Sequence, residues 1–391
     1  MKFDFDKVVD RHGTKCLKYD FAKERGRSDD MLPLWVADMD FQTAPGIQKS
    51  LSDAVAHGIY GYSEGKDDYF QAAAGWYEKH FGWKVEKEWL IKTPGVVFAL
   101  AMAVKAYTKE GDAVLLQQPV YYPFSEVITD NHRRLINSPL QQIDGHYEIN
   151  FEEFEQKIVE ENVKLFLMCS PHNPVGRVWK EWELRKIGDI CLKHNVLVVS
   201  DEIHSDFTYG ENIHHVFASL DEKYAAITTT CTAPSKTFNI AGLQISNIWI
   251  SNPELRARFR AEVTAAGYSQ VNLMGLVACQ AAYETGEEGL KELKIYLEGN
   301  LDYVRTFLKE NLPEIKLTEP EGTYLLWLDF KSLGMKEEQL KDLVENKAKL
   351  WLDSGAMFGP NGEGFERINI ACPREILKQA LTQLAEAVHD R

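Results

Sequence analysis

The chain is poor in the residues and patterns that staple small exported domains or bind metals. Its 391 residues hold six cysteines, Cys16, Cys169, Cys191, Cys231, Cys279 and Cys372, with no C-x-x-C pair among them. That spacing argues against a zinc ribbon and a dense disulfide framework. It predicts a reducing compartment, with cysteines in apolar patterns inert by burial. His204, His214, His215 and Cys231 lie close in sequence but lack H-x-x-x-H or C-x-x-C spacing, so no metal is expected. Long apolar runs are also missing: the longest, Val96 to Val104, is about half of a spanning helix. The opening Met1-Lys2-Phe3-Asp4-Phe5-Asp6 is charged within its first turn, unlike an export signal, so the expectation is a cytoplasmic protein without a membrane partner.

Basic charge is scarce as well. Forty-four Lys and Arg face 59 Asp and Glu, a net charge of −15 spread along the chain. Nucleic-acid binding requires a basic surface, so this balance argues against it and reads as solubility. No G-x-G-x-x-G follows a strand pattern. Gly61-Tyr62-Ser63-Glu64-Gly65-Lys66-Asp67 has neither the spacing nor the hydroxyl of a P-loop. Internal repeats and flexible linkers are missing too.

What is present is ordinary globular composition, 45% apolar and 26% charged, at a length that calls for more than one core. Apolar runs at 113–117, 164–169, 196–200, 225–231 and 246–250 read as strands covered on both faces. Helical patterns at 151–161, 182–194 and 253–265 lie among and beyond them, which predicts βαβ units and a mostly parallel sheet. After about residue 285 a long charged helix, strands at 323–330 and 365–371, a helix at 336–346 and a final helix at 374–389 read as a smaller α+β unit. The strand-poor first 45 residues are expected to wrap onto it. The expected division is 46–285 for the large domain, with 1–45 and 286–391 forming the small one.

Four polar residues follow or sit in buried strand patterns, in the order Asn, Asp, Lys, Arg. Lys236, in Ala233-Pro234-Ser235-Lys236-Thr237-Phe238-Asn239, reads either as a solvated side chain or as an amine held in a cleft, where its pKa falls and it becomes a nucleophile. Asp201, ending Val196-Leu197-Val198-Val199-Ser200-Asp201, reads as a helix N-cap or as a carboxylate where open α/β sheets hold ligands. Asn173 before Pro174 could be a turn residue, and Arg367 a strand-edge charge. All four together are much harder to assign to chance.

The order and wording of these segments resemble the fold type I pyridoxal-phosphate enzymes, the aspartate-aminotransferase superfamily, from residue 30 to the C-terminus. More narrowly, Trp35-Val36-Ala37-Asp38-Met39-Asp40-Phe41, Tyr60-Gly61-Tyr62, Ser200-Asp201-Glu202-Ile203-His204-Ser205-Asp206 and the lysine segment resemble the MalY/PatB group of cystathionine β-lyases. The resemblance implies an α/β fold: a large domain with a mostly parallel seven-stranded sheet flanked by helices, plus a smaller α+β domain.

It also implies roles. Lys236 would carry pyridoxal 5′-phosphate covalently and then remove the substrate Cα proton. Asp201 would pair with the ring nitrogen so that the ring can act as an electron sink. Asn173 would bond the ring's phenolic oxygen, with His204 a further cofactor contact where classical aminotransferases have a tyrosine. Tyr121, with Tyr122 as its rival, would stack on the ring. The phosphate would meet the helix start at Gly95, Val96 and Val97, and Ser235. Ala233 and Gln244 stand where aminotransferases have a serine and an arginine, so the phosphate charge must be met differently.

Arg367 would clamp the α-carboxylate. Val36 and Ala37 would close over the substrate, and Gly359 to Gly364 would form a flap. Tyr62 or Tyr60 would reach the partner's phosphate across a homodimer. The implied activity is carbon–sulfur β-elimination on L-cystathionine or related S-substituted L-cysteines, giving a thiol such as homocysteine, pyruvate and ammonia. An L-amino-acid aminotransferase and a regulatory protein built on the same fold are the alternatives.

Overall fold

The computed structural model describes residues 3–391. Seven strands form the central sheet: Leu90–Thr93 (β1), Ala113–Leu116 (β2), Arg134–Asn137 (β3), Leu165–Cys169 (β4), Leu197–Asp201 (β5), Thr228–Thr232 (β6) and Ser246–Trp249 (β7). Their order is β1-β7-β6-β5-β4-β2-β3. All neighbours run parallel except β7, which is antiparallel to both β1 and β6. β2, β4 and β6 are buried at every residue because helices cover both faces. The two edges, β1 and β3, carry a lysine and an arginine and are only partly buried. A half-exposed edge lacks the apolar run of a central strand, so these two strands leave no mark in the sequence pattern.

Register brings the chemistry to one place. Cys169 pairs with Asp201, and Asp201 with Cys231, so β4, β5 and β6 end side by side. Asn173, Asp201 and Lys236 thus lie at adjacent carboxyl ends, the edge where open parallel sheets bind ligands. The run expected to start at 225 becomes a strand only at Thr228, since Asp221 caps the short helix Glu222–Ala225 by accepting from Lys223 N.

A second sheet is wholly antiparallel: Lys316–Thr318 (β8), Leu325–Asp329 (β9), Asp353–Ser354 (β10) and Phe365–Asn369 (β11), in the order β8-β9-β11-β10. Leu297, Leu301, Val304 and Leu308 of helix Glu287–Asn311 share its core with Leu377, Leu381 and Leu384 of helix Arg374–His389. The helix expected at 336–346 is a short α-helix, Glu337–Lys341, that widens into a π-turn, Asp342–Lys347. Leu32–Pro33 runs parallel to Leu350–Trp351. From there residues 36–41 cross to the loop after β6, held at both ends: Asn369 Nδ2 donates to the carbonyls of Val36 and Asp38, and Asn239 Nδ2 to those of Met39 and Phe41.

Candidate active site

Lys236 lies in the buried loop that leaves β6, and its Nζ donates to the Ala37 carbonyl at 2.7 Å. The same carbonyl accepts from the Tyr324 hydroxyl at 3.0 Å. Burial lowers the Lys236 pKa to about 8, aided by Arg367 and opposed by Asp38 and Asp201. A desolvated amine of this kind is about half neutral near pH 8, so a nucleophilic fraction is present. Its loop is fixed by Thr237, whose hydroxyl donates to Asp206 at 2.6 Å, and by the Met39 amide, which donates to Asn239 Oδ1 at 3.0 Å.

Asp201 ends β5 with a buried carboxyl. Burial pushes its pKa to about 7, against the opposing effects of the Ile203 N–H at 3.1 Å and of Lys236. Among the described residues it makes no ion pair, so the structure leaves a carboxyl near neutrality facing the same space as the amine. That space is a cavity of about 440 Å³ lined by Ala37, Gly95, Val96, Val97, Tyr121, Asn173, Asp201, His204, Ser235 and Lys236, with Gln244 at its margin. His204 Nδ1 is buried without a partner. Burial holds that imidazole well below its usual pKa, so it stays neutral.

Arg367, on β11, is buried. Its Nη1 donates to Asn173 Oδ1 at 3.0 Å, and its Nη2 to the Trp35 carbonyl at 2.8 Å and to Asp353. Its Nε is buried and unpartnered. A planar fork so held is aimed rather than free to search, which suits a carboxylate. At the far end of the cavity Gly95 adopts φ 142°, which an L side chain rarely tolerates, and precedes helix Val96–Tyr107. The first N–H groups of that helix lack intrahelical partners and favour an anion. Among the described residues, Lys236 is the one lysine or arginine lining the cavity. An anion there would thus be met by backbone N–H groups and Ser235.

The structure therefore gathers ten of the residues singled out by sequence and sets Arg367 against one of them. Tyr121 rather than Tyr122 lines the cavity; the Tyr122 ring lies 6.2 Å from that of Phe358. Two expectations, Val36 against the substrate and a flap at 359–364, need correction. Val36 does not line this cavity, because its backbone is turned to Asn369. It lines an adjoining cleft of about 550 Å³ that shares Ala37, Lys236, Ala241 and Gln244. Tyr62, expected to serve a partner's cavity and not that of its own chain, is 94% exposed on the irregular segment before helix Asp67–Phe81. The stretch 359–364 is no loose flap either: a Cβ on Gly359 would sit 2.5 Å from Gln118, and Gly355 and Gly362 pack backbone on backbone.

Sequence reading missed Tyr324, Asp353, Asn239 and Asn369. A polar residue inside a buried strand pattern, such as Asn369 in Phe365-Glu366-Arg367-Ile368-Asn369, was the available signal.

The chain belongs to the aminotransferase class I and II family, whose pattern it matches over residues 30–384. It is 43% identical to the cystathionine beta-lyase PatB of Bacillus subtilis, over 98% of this chain and 100% of that protein. Among solved structures it resembles cystalysin from Treponema denticola, which contains a pyridoxal 5′-phosphate cofactor, with a TM-score of 0.96, 39% identity and full coverage of both chains. The pyridoxal-phosphate-bound C-S lyase from Staphylococcus hominis superposes with a TM-score of 0.93 at 34% identity, covering 99% of this chain and 98% of that one.

Proposed function

We propose that this chain is a pyridoxal-phosphate-dependent carbon–sulfur β-lyase acting on L-cystathionine and related S-substituted L-cysteines. The observation that carries the reading is the pairing, across one cavity, of the desolvated Lys236 amine with the buried Asp201 carboxyl. The cavity suits the cofactor: it offers an amine for an aldehyde, a carboxylate for a ring nitrogen, an unpartnered His204 Nδ1 and a glycine-opened helix start for a phosphate. When bound, pyridoxal phosphate supplies the aldehyde that joins an amine and the ring that accepts the electron pair left at Cα.

The protein's own groups do the rest. Arg367 binds the substrate α-carboxylate, exchanging part of its hold on Asn173, and so fixes which Cα bond faces the ring. Lys236 Nζ takes the Cα proton, and its lowered pKa lets it act as a base near neutral pH. Asp201 would supply negative charge to the ring nitrogen, and Asn173 and His204, which line the same cavity, would offer polar contacts to the ring. Tyr121, on the cavity wall, would cover the ring and exclude water. Net, L-cystathionine and water give homocysteine, pyruvate and ammonia: the Cβ–S bond breaks with its electron pair on sulfur, which leaves as the thiol.

The names of the relatives favour elimination over amino transfer. Purified enzyme given L-cystathionine without any 2-oxo acid should release pyruvate and thiol in equal amounts. Strict dependence on an added 2-oxo acid would make the chain an aminotransferase instead.

The functional unit in this reading is a cytoplasmic homodimer. Val55, Ile59, Tyr60 and Tyr62 form an exposed apolar strip that a second copy would cover. Tyr62 would then reach the phosphate in the partner's cavity, supplying a contact that this chain lacks. Within each copy, 46–285 forms the large domain, and 1–45 with 286–391 the small one.

A further inference from the structure

We infer that a cavity on the far side of the lysine loop is a second binding site, for an α-amino acid with an apolar side chain. The cavity measures about 500 Å³, lies between helix Glu287–Asn311, the end of helix Asp67–Phe81 and residues 205–214, and shares no lining residue with the active site. Its size is that of an ordinary small-molecule pocket, roughly 300–1,000 Å³.

Its lining is amphoteric. Lys294 makes no hydrogen bond or ion pair among the described residues, although burial lowers its pKa, opposed by Asp206 and Glu298. A partly buried ammonium that feels Asp206 and Glu298 only through space, with no hydrogen-bonded acceptor, keeps its donors open for a carboxylate. Glu298, one turn further along the same helix, offers an acceptor for an ammonium. Asp206 cannot take that role as readily, because Trp76 Nε1 at 3.1 Å and Thr237 Oγ1 at 2.6 Å already bond its two oxygens. Phe81, Ile213 and Ile295 supply apolar surface, with Ile213 and Ile295 68% and 63% exposed. Cation, anion and apolar wall together match a zwitterion carrying a hydrocarbon or thioether chain.

The cavity's polar wall is also the back of the active site. Asp206 bonds Thr237, the residue after Lys236. His214 Nε2 lies 2.8 Å from the buried Glu202 Oε2, and Glu202 follows Asp201. A ligand here adjoins both chemical anchors without touching either.

The test is calorimetric titration with L-leucine, which has no leaving group at Cβ and so is not consumed. It uses enzyme reduced with borohydride in the presence of pyridoxal phosphate, so that exchange at Lys236 is blocked. The expected result is one saturable binding event, weakened at least tenfold by Lys294→Ala and, independently, by Ile213→Glu at an exposed position. Binding unchanged in both variants, or no binding by the parent enzyme, would overturn the inference. Neither outcome depends on lyase turnover, so a failed β-elimination assay would leave this test standing.

Discussion

Arg367 Nη1 and Asn173 Oδ1 stand 3.0 Å apart although 194 positions separate them. The contact joins the carboxyl end of the parallel sheet to the antiparallel one, so a carboxylate clamp and a cofactor contact are positioned by each other. The Nη2 edge of the guanidinium donates to Asp353, the register partner of Arg367 across β10 and β11, while its face lies over the Phe358 ring.

Arg367→Leu should therefore fail twice. Losing charged hydrogen bonds to the α-carboxylate is expected to cut kcat/KM by about a hundredfold or more. Leaving Asp353 buried and unpaired should destabilise the fold by about 3–5 kcal/mol. Arg367→Lys, which keeps charge but not the fork, should fall between. Denaturant melts alongside steady-state kinetics check both; an unchanged melt would show that Asp353 is not held by this pair.

Asp201 gives a pH signature. Its folded pKa of about 7 lies above the ordinary 3.8, chiefly through burial. The folded carboxyl thus keeps its proton where the unfolded one has lost it. That contributes stability below about pH 4, which is lost as the pH climbs toward about 7. In cofactor-free protein, the stability of wild type relative to Asp201→Asn should fall across that interval and level off above it. A difference that does not vary with pH would show the carboxyl is not desolvated. In the loaded enzyme, Asp201→Asn should lower turnover about a hundredfold, through loss of charge opposite the ring nitrogen.

Tyr62 tests whether the site is shared. Tyr62→Ala and Lys236→Ala proteins, each weak or inactive alone, should regain activity when mixed and allowed to exchange subunits, since one site of the mixed dimer has both residues. Mixing without any recovery would mean that a single chain supplies both residues to its own site, or that Tyr62 serves no site.

Much of this was legible in sequence for a physical reason. Strands covered on both faces favour apolar and β-branched residues, so β2, β4 and β5 stand out by their apolar runs, β6 by its threonines and β7 by the apolar residues at its end, and the polar residues just beyond them stand out as candidates. Edge strands such as Arg134–Asn137 carry no such mark. Nor could sequence show that Ala37 would supply an oxygen to Lys236, because a backbone carbonyl has no residue signature and the two lie 199 positions apart. Tyr324 reaches the site through that same carbonyl, and only the folded chain brings it there. Tyr62 was recognised by its wording alone, and in a single copy its side chain points to solvent.

The account stands on covalent attachment at one amine. Protein saturated with pyridoxal phosphate, reduced with borohydride, digested and weighed by mass spectrometry should carry the cofactor on the peptide that holds Lys236, with Lys236→Ala unlabelled and at least about a thousandfold less active. Label spread over surface lysines, or full labelling and turnover in Lys236→Ala, would contradict it.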